Sequence, residues 1–206
     1  MTIRNPRKTR ERLLSSAFEE IHARGFQGMR VDEVLRKSGL PKGAFYHHFS
    51  SKKELGYVVL EQQIKPLIES IWIEPLKDIK DPVQDFPQLL DTLGERIPPS
   101  MREHGCPVNN LAQEMASQDK GFQQRIAELF NHWIDAFQDL FEKGKENGYI
   151  RDDVDSRAVA RFMVSVLEGC IGIFKVEHSP EQWPACRSQI AIYLKTLRPE
   201  AANPRK

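Results

Sequence analysis

Lys42, Gly43, Tyr46, His47 and Lys52 form the first cluster of residues whose types and spacing can do chemistry. The two ammonium groups suit phosphate oxygens, which position a protein on a duplex without specifying a sequence. An imidazole can donate or accept at a purine edge, so His47 suits a major-groove base contact. The Tyr46 hydroxyl suits a phosphate; a partly buried core tyrosine is the alternative. Gly43 has no side chain to hold a backbone phosphate away. The second cluster centres on Cys106, with Arg102 and His104 close in sequence. A thiol at the start of a helix and near cations is biased toward the thiolate, the reactive form. A small buried cap residue without chemistry is the other reading of the same placement.

The elements that position the first cluster lie between Val31 and Leu55. Val31, Val34 and Leu35 are spaced i, i+3, i+4, one face of a helix. Gly39 follows Ser38 where that helix must stop with a positive φ. Pro41 suits the first turn of a second helix. On that helix Ala44, Phe45 and Phe49 can face inward while Lys42, Tyr46 and His47 point elsewhere. Ser50 or Ser51 can cap a third helix, whose N-terminal N–H groups with Lys52 make a phosphate site. The layout predicts a helix-turn-helix whose second helix enters the major groove.

The remaining chain reads as helix throughout. Thr9 is the expected cap of a first helix carrying Leu13, Ala17 and Ile21 in one row and ending at Gly25. A long helix runs from Lys52, with a kink expected at Pro66 and Pro75 beyond its end. Residues 74–84 read as turn. A helix from Phe86 to Ile97 is stopped by Pro98 and Pro99. Gly105-Cys106-Pro107 signals a new start and a helix to about Ser117. Phe122 to about Asn147 is long and apolar-periodic. Asp155 or Ser156 caps a helix that runs to Glu177, and Ser179-Pro180 starts the last one. The fold class is all-α, with a three-helix helix-turn-helix DNA-binding head (1–52) and a helical-bundle body for ligand binding and dimerisation (53–206), about nine helices in all.

Composition narrows the function. Of the 30 Lys/Arg and 29 Asp/Glu, residues 1–55 hold 12 and 6, a balance of +6; the rest hold 18 and 23, a balance of −5. The basic end is the nucleic-acid end. Arg4, Arg7 and Lys8 form either an arm that reaches phosphates or a minor groove, or a solvated terminus. The absence of an 18-residue apolar run and of an apolar leader leads us to expect no membrane span, no secretory signal and a cytoplasmic protein. Three cysteines at wide spacing (Cys106, Cys170, Cys186) make no disulfide framework, and Cys170 and Cys186 are expected to pack in helix faces. No Cys/His cluster has metal-ligand spacing, so neither a metal nor a cofactor is expected.

Residues 1–55 resemble the DNA-binding signature of the TetR family of transcriptional regulators. Gly25, Phe26, Gly39, Lys42, Gly43, Tyr46, Phe49, Lys52 and Leu55 fall in its register. Arg30 stands where the family commonly has a Thr or Ser cap, and Pro41 where Ser is usual. The resemblance implies DNA contacts from Arg30, Lys42, Gly43, Ala44, Tyr46, His47 and Lys52. Further on, His104-Gly105-Cys106 followed by Asn110-Leu111 and Glu114 is similar to a subgroup that includes NemR-like and AcuR-like repressors. That subgroup implies response to reactive electrophiles, oxidants or small carbonyl and acrylate-like compounds. It also implies coupling of Cys106 to Lys175; a solvated lysine at a helix C-terminus is the plain alternative.

Trp72, Phe86, Phe130, Trp133 and Phe137 either line a ligand pocket or form plain core. The helix from Ser156 to Glu177 is apolar around more of its circumference than one core face needs, and Gly169 and Gly172 allow close approach of another helix. Following the family, it forms a four-helix dimer interface with the last helix, through Phe162, Val166, Gly169, Ile173, Ile190 and Tyr193. The expected function is a homodimeric repressor on a pseudo-palindromic double-stranded operator, released by a small molecule or electrophile and not an enzyme. The alternatives are an enzyme using Cys106 with His104, which lacks a third orienting group, and a non-specific nucleic-acid-binding protein.

Overall fold

A computed structural model gives the architecture and describes residues 5–179 and 181–200. Arg4 of the basic arm and Pro180 at the expected start of the last helix lie outside these residues. The described residues contain helices and turns and no strand. In chain order they form α1 (Pro6–Gly28), α2 (Val31–Ser38), α3 (Lys42–His48) and α4 (Lys52–Val59). Helical backbone continues through a π-turn (Leu60–Ile64), α5 (Lys65–Ile68), a second π-turn (Glu69–Ile73) and a 3₁₀ turn (Glu74–Asp78). Then come α6 (Asp85–Arg96), α7 (Pro99–His104), α8 (Pro107–Met115), α9 (Lys120–Glu146), α10 (Ser156–Glu177) and α11 (Gln182–Lys195). No helix among the described residues is long and apolar enough to cross a membrane.

The chain divides into two compact units, Met1–Leu67 with Cys106–Leu129, and Ile68–Gly105 with Phe130–Lys206. The unit that holds the helix-turn-helix therefore takes in α8 and the start of α9, which the sequence reading assigned to the body.

In the first unit, α1 is capped by the Asn5 side chain, which accepts from the backbone N–H groups of Arg7 and Lys8, with Pro6 in the first turn. This corrects the expected cap. Thr9 sits inside the helix and donates its hydroxyl to the Asn5 carbonyl. Gly25 adopts φ 74° and breaks the regular helix. Leu13, Leu14, Ala17 and Ile21 of α1 are buried, as are Val34, Leu35, Phe45 and Phe49. Gly39 closes α2 in the left-handed conformation, φ 62°. Ser51 caps α4 by accepting from the Glu54 N–H, and the Glu54 carboxylate accepts from the Ser50 N–H and hydroxyl. That reciprocal arrangement satisfies donors a helix start leaves open.

In the second unit, the turn expected from residue 74 is in part a 3₁₀ helix. Pro75 falls in its first turn, where a missing N–H costs nothing. Likewise Pro99 does more than stop α6; it occupies the first turn of α7, a helix the proline pair concealed. Asp155 caps α10, accepting from Arg157 and Ala158. Trp72, Phe86, Trp133, Phe137 and Phe141 are fully buried around paired rings, Trp72 on Trp133 and Phe86 on Phe137, both at 5.2 Å between centroids.

Candidate nucleic-acid interface and its joint with α8

Phe45 and Phe49 are buried and 5.9 Å apart, and they fix the rotation of α3. That rotation leaves Lys42, Gly43, Tyr46 and His47 exposed and Ala44 half-buried. Tyr46 is 66% exposed, high for a large aromatic residue. A Cβ added at Gly43 would meet nothing within 4 Å, so nothing inside the protein demands a glycine there. His48 is half-buried; burial first, then the charges of His47 and Arg10, push its imidazole below the ordinary histidine range. His47 is the histidine of this pair that faces outward. Arg30 is exposed at the cap position of α2, with no side-chain capping bond. Pro6 and Thr9 of α1, with Leu40, Pro41, Gly43 and His47, border a groove of about 600 Å³.

The two lysines at the start of α4 both make contacts within the protein. The Lys52 ammonium donates to the Gln27 carbonyl at 2.9 Å and lies 5.1 Å from the Phe26 ring centroid. Burial lowers its pKa, and the nearby Glu114 carboxylate pulls it back up. The Lys53 ammonium sits 2.9 Å from Asp119. Lys52 thus closes the end of α1. The phosphate role was expected from its place at a helix start as well as from the family register, and neither shows that a carbonyl 25 residues earlier takes the ammonium.

Behind this face lies a joint that sequence reasoning did not find. Glu114, in the last turn of α8, accepts from the backbone N–H groups of Phe26 and Gln27, each at 2.7 Å. These are the donors left open where Gly25 breaks α1. A Cβ at Gly25 would stand 2.7 Å from the carboxylate, so the close approach needs a glycine as much as the φ does. Asp119, just before α9, accepts from the Tyr57 hydroxyl at 2.5 Å and from the Phe122 N–H at 3.0 Å. The Tyr57 hydroxyl, then Lys53, then that N–H hold its carboxyl well below the usual carboxylate range. Gly56 lets Phe26 and Phe122 meet across α4, 4.7 Å between centroids; a Cβ there would lie 2.5 Å from Phe26. The run Asn110 to Glu114 served the sequence reading only as a mark of resemblance. Its one signal was a carboxylate at the far end of a helix that starts at Cys106.

Cys106 is the cap residue of α8, outside the disulfide and only 2% exposed. Lys175 is exposed in the last turn of α10, in the other compact unit. Of the five candidate pocket aromatics, Trp72, Phe86, Trp133 and Phe137 are sealed core and Phe130 is half-buried. A cleft of about 420 Å³ in the second unit is bordered by Ile73, Leu76, Lys77, His132, Asp139 and Lys143 and by none of those aromatics. The indole N–H groups of Trp72 and Trp133 are buried and find no acceptor among the described residues.

On α10, Phe162, Gly169 and Ile173 are exposed and Val166 is half-buried. Tyr193 is half-buried against Phe162, ring centroids 4.7 Å apart. Ile190 is a correction. It is 3% exposed within its own chain, two positions before the outward-facing Ile192. Cys170 and Cys186 are a second correction: they are bonded to each other as a disulfide between α10 and α11. Their 16-residue separation on two helices carried no pairing signal.

Two family models match the chain. Residues 13–55 match that of bacterial regulatory proteins of the tetR family, and residues 94–190 match that of the tetracyclin repressor-like C-terminal domain. The HTH-type transcriptional repressor DhaR of Mycobacterium sp. (strain GP1) is 25% identical over 179 residues, 84% of this chain and 85% of that protein. The HTH-type transcriptional repressor NemR of Escherichia coli is 44% identical over 54 residues, 26% of this chain and 27% of that protein. A TetR-family regulator from Cytophaga hutchinsonii, 16% identical, has the same fold, with a TM-score of 0.84 over 98% of this chain and 100% of its own.

Proposed function

The chain belongs to the tetR family of bacterial regulatory proteins, and from that premise we propose that it is a dimeric transcriptional repressor whose α3 reads an operator. It is a regulator and not an enzyme. The observation that carries the DNA reading is the outward face of α3. Lys42, Gly43, Tyr46 and His47 are all exposed on a helix whose rotation two buried phenylalanines fix. Arg30 and Ala44 flank this face. Its phosphate contacts set affinity and position, and His47 supplies base discrimination.

The second copy docks on α10. Phe162, Val166, Gly169, Ile173 and Val176 repeat at steps of four and three, which forms one seam along a helix. Val176 is 78% exposed, and a Cβ at Gly169 or Gly172 would meet nothing in the protomer. Tyr193 and Ile192 extend the seam onto α11. Two-fold pairing of the heads predicts a pseudo-palindromic operator. Val166→Glu puts a charge in that seam and yields a monomer by sedimentation; an intact dimer would place the interface elsewhere.

Release runs through α8. Its nine residues form a rod of about 13 Å, with Cys106 at one end and Glu114 on the α1 break at the other. An electrophile or oxidant at Cys106 adds bulk to a buried cap and displaces the rod. A reversible small-molecule effector is the alternative input. Either input needs only a few kcal/mol of differential affinity between the two states.

The test is a gel shift on the DNA upstream of the gene, with random duplex as competitor, for wild type and Cys106→Ser, each with and without an α,β-unsaturated carbonyl. We expect a specific shift that the electrophile abolishes in wild type only. Equal competition by random duplex would overturn operator recognition. Full binding by wild type that carries the adduct at Cys106 would overturn the thiol switch and leave a reversible effector.

A further inference from the structure

Cys170 and Cys186 join α10 to α11 with Cα atoms 6.5 Å apart, inside the usual span of a disulfide. Both are half-buried, so small reagents can reach them. The bond lies beside the proposed dimer seam, because Cys170 follows Gly169 and precedes Ile173 by one helical turn. It also falls at the start of α11, which polar bonds from other elements hold. Glu181 gives α11 no side-chain cap. Instead the Gln182 amide donates to the Cys170 carbonyl at 3.0 Å and the Trp183 indole to the Leu90 carbonyl at 3.1 Å. Arg187 donates to the Pro87 carbonyl and pairs with Asp91. The disulfide is the covalent member of this set.

Its location inside a DNA-binding protein decides how it behaves. A protein that works on chromosomal DNA shares a compartment with the thiol-reducing systems of the cell. There, disulfides are transient and redox-responsive rather than permanent. We propose that Cys170 and Cys186 form a reversible dithiol–disulfide site, oxidised by hydroperoxides and reduced by dithiol reductants, that locks the start of α11 to the dimer seam of α10. The proposal rests on the DNA-binding reading for the compartment and on the α10–α11 dimer for its consequence. It is separate from Cys106, which lies in the other compact unit.

The chemistry balances in two steps. One thiolate attacks the terminal peroxide oxygen; an S–O bond forms, the O–O bond breaks, and the leaving alkoxide takes up a proton to become the alcohol. The second thiol then attacks the sulfenic sulfur; the S–S bond forms, the S–O bond breaks, and hydroxide leaves as water with the thiol proton. Two electrons pass from the thiol pair to the peroxide. A dithiol reductant reverses the state by exchange through a mixed disulfide, becoming a disulfide itself.

The experiment uses full-length protein carrying Cys106→Ser, so that the pair holds its only thiols. Reduced protein is treated with a hydroperoxide, then alkylated under native and denaturing conditions and weighed intact. We expect the mass to fall by two hydrogens, no alkylation, and a cross-linked peptide pair from α10 and α11. Closing a loop of this size predicts a Tm about 6–12 °C higher in the oxidised form, with slower amide exchange over residues 181–190. Cys170→Ser and Cys186→Ala in the same background remove the redox dependence of both. Free alkylation of both cysteines after peroxide overturns the proposal, as does a redox-dependent Tm that persists in either variant. Failure of the reduced protein to bind any operator overturns the DNA reading instead, and the cross-link result stands apart from it.

Discussion

The outer face of α3 and the joint between α8 and α1 lie in one compact unit and are built on opposite terms. On α3 the polar side chains are exposed, and Gly43 answers no internal demand. At the joint, Glu114 and Asp119 each accept from two or more donors, and Gly25 and Gly56 are pressed by neighbours closer than a Cβ tolerates. The first surface is unfinished without a partner. The second is finished and holds the first in place. Residues that bind and residues that transmit should therefore fail differently, the former losing DNA and keeping the fold, the latter losing the fold or its geometry.

The largest expected effect is at Glu114. Glu114→Ala removes a carboxylate from two backbone N–H groups and leaves the broken end of α1 without those acceptors. Bonds to a charged acceptor contribute about 1.5–3 kcal/mol each, and water recovers part of this at so shallow a site. A loss of about 3 kcal/mol in denaturant unfolding follows, with weaker operator binding even at temperatures where the protein is folded. Glu114→Gln keeps an acceptor and recovers part of both. If Glu114→Ala unfolds like wild type, the joint is not a joint.

His47→Ala should show the converse. Loss of a base contact costs about 1–3 kcal/mol of discrimination, read as roughly tenfold weaker operator binding with little change for random duplex. An exposed position away from any special geometry should change stability by less than about 0.5 kcal/mol. Equal losses on operator and random DNA would make His47 a phosphate contact.

Acid tests the joint by another route. The Asp119 carboxyl titrates lower in the folded chain than in the unfolded one, where it follows an ordinary aspartate near 4. Its stabilisation is therefore complete above that value and is lost as pH falls through the folded one. Asp119→Asn should flatten the acid limb of the stability profile by up to one proton and leave the slope near neutral pH unchanged. An acid limb as steep as wild type would mean that other carboxylates carry it.

The two regions also differ in how far the sequence revealed them. The turn at Gly39, the inward Phe45 and Phe49, and the start of α8 at Cys106-Pro107 are local matters, settled by spacing and by φ over a few residues. The expected cap at Thr9 differs for a local reason too, because Asn5-Pro6 is a stronger start signal a few residues earlier. The joint could not be read this way. Glu114 finds its donors 88 and 87 residues earlier in the chain, and Cys170 meets Cys186 only once two helices pack. Side-chain pairing at that range depends on packing, which neither periodicity nor charge balance reports.

The smallest predicted effect separates the two regions most sharply, because it concerns one residue type on either side of the boundary. Lys42 is exposed on α3, and Asp32, 3.9 Å from its ammonium, is itself exposed. Lys42→Ala should weaken binding to every duplex alike and lower the salt slope of log affinity by about one unit, one released counterion. Lys52 shares the family register, but its ammonium is held by the Gln27 carbonyl and the Phe26 ring. Lys52→Ala should leave the salt slope where it was and lower stability by about 1 kcal/mol, the worth of one such bond. A slope that falls by one unit in Lys52→Ala would mean that DNA draws the ammonium off Gln27. The end of α1 would then belong to the binding surface as well as to the joint.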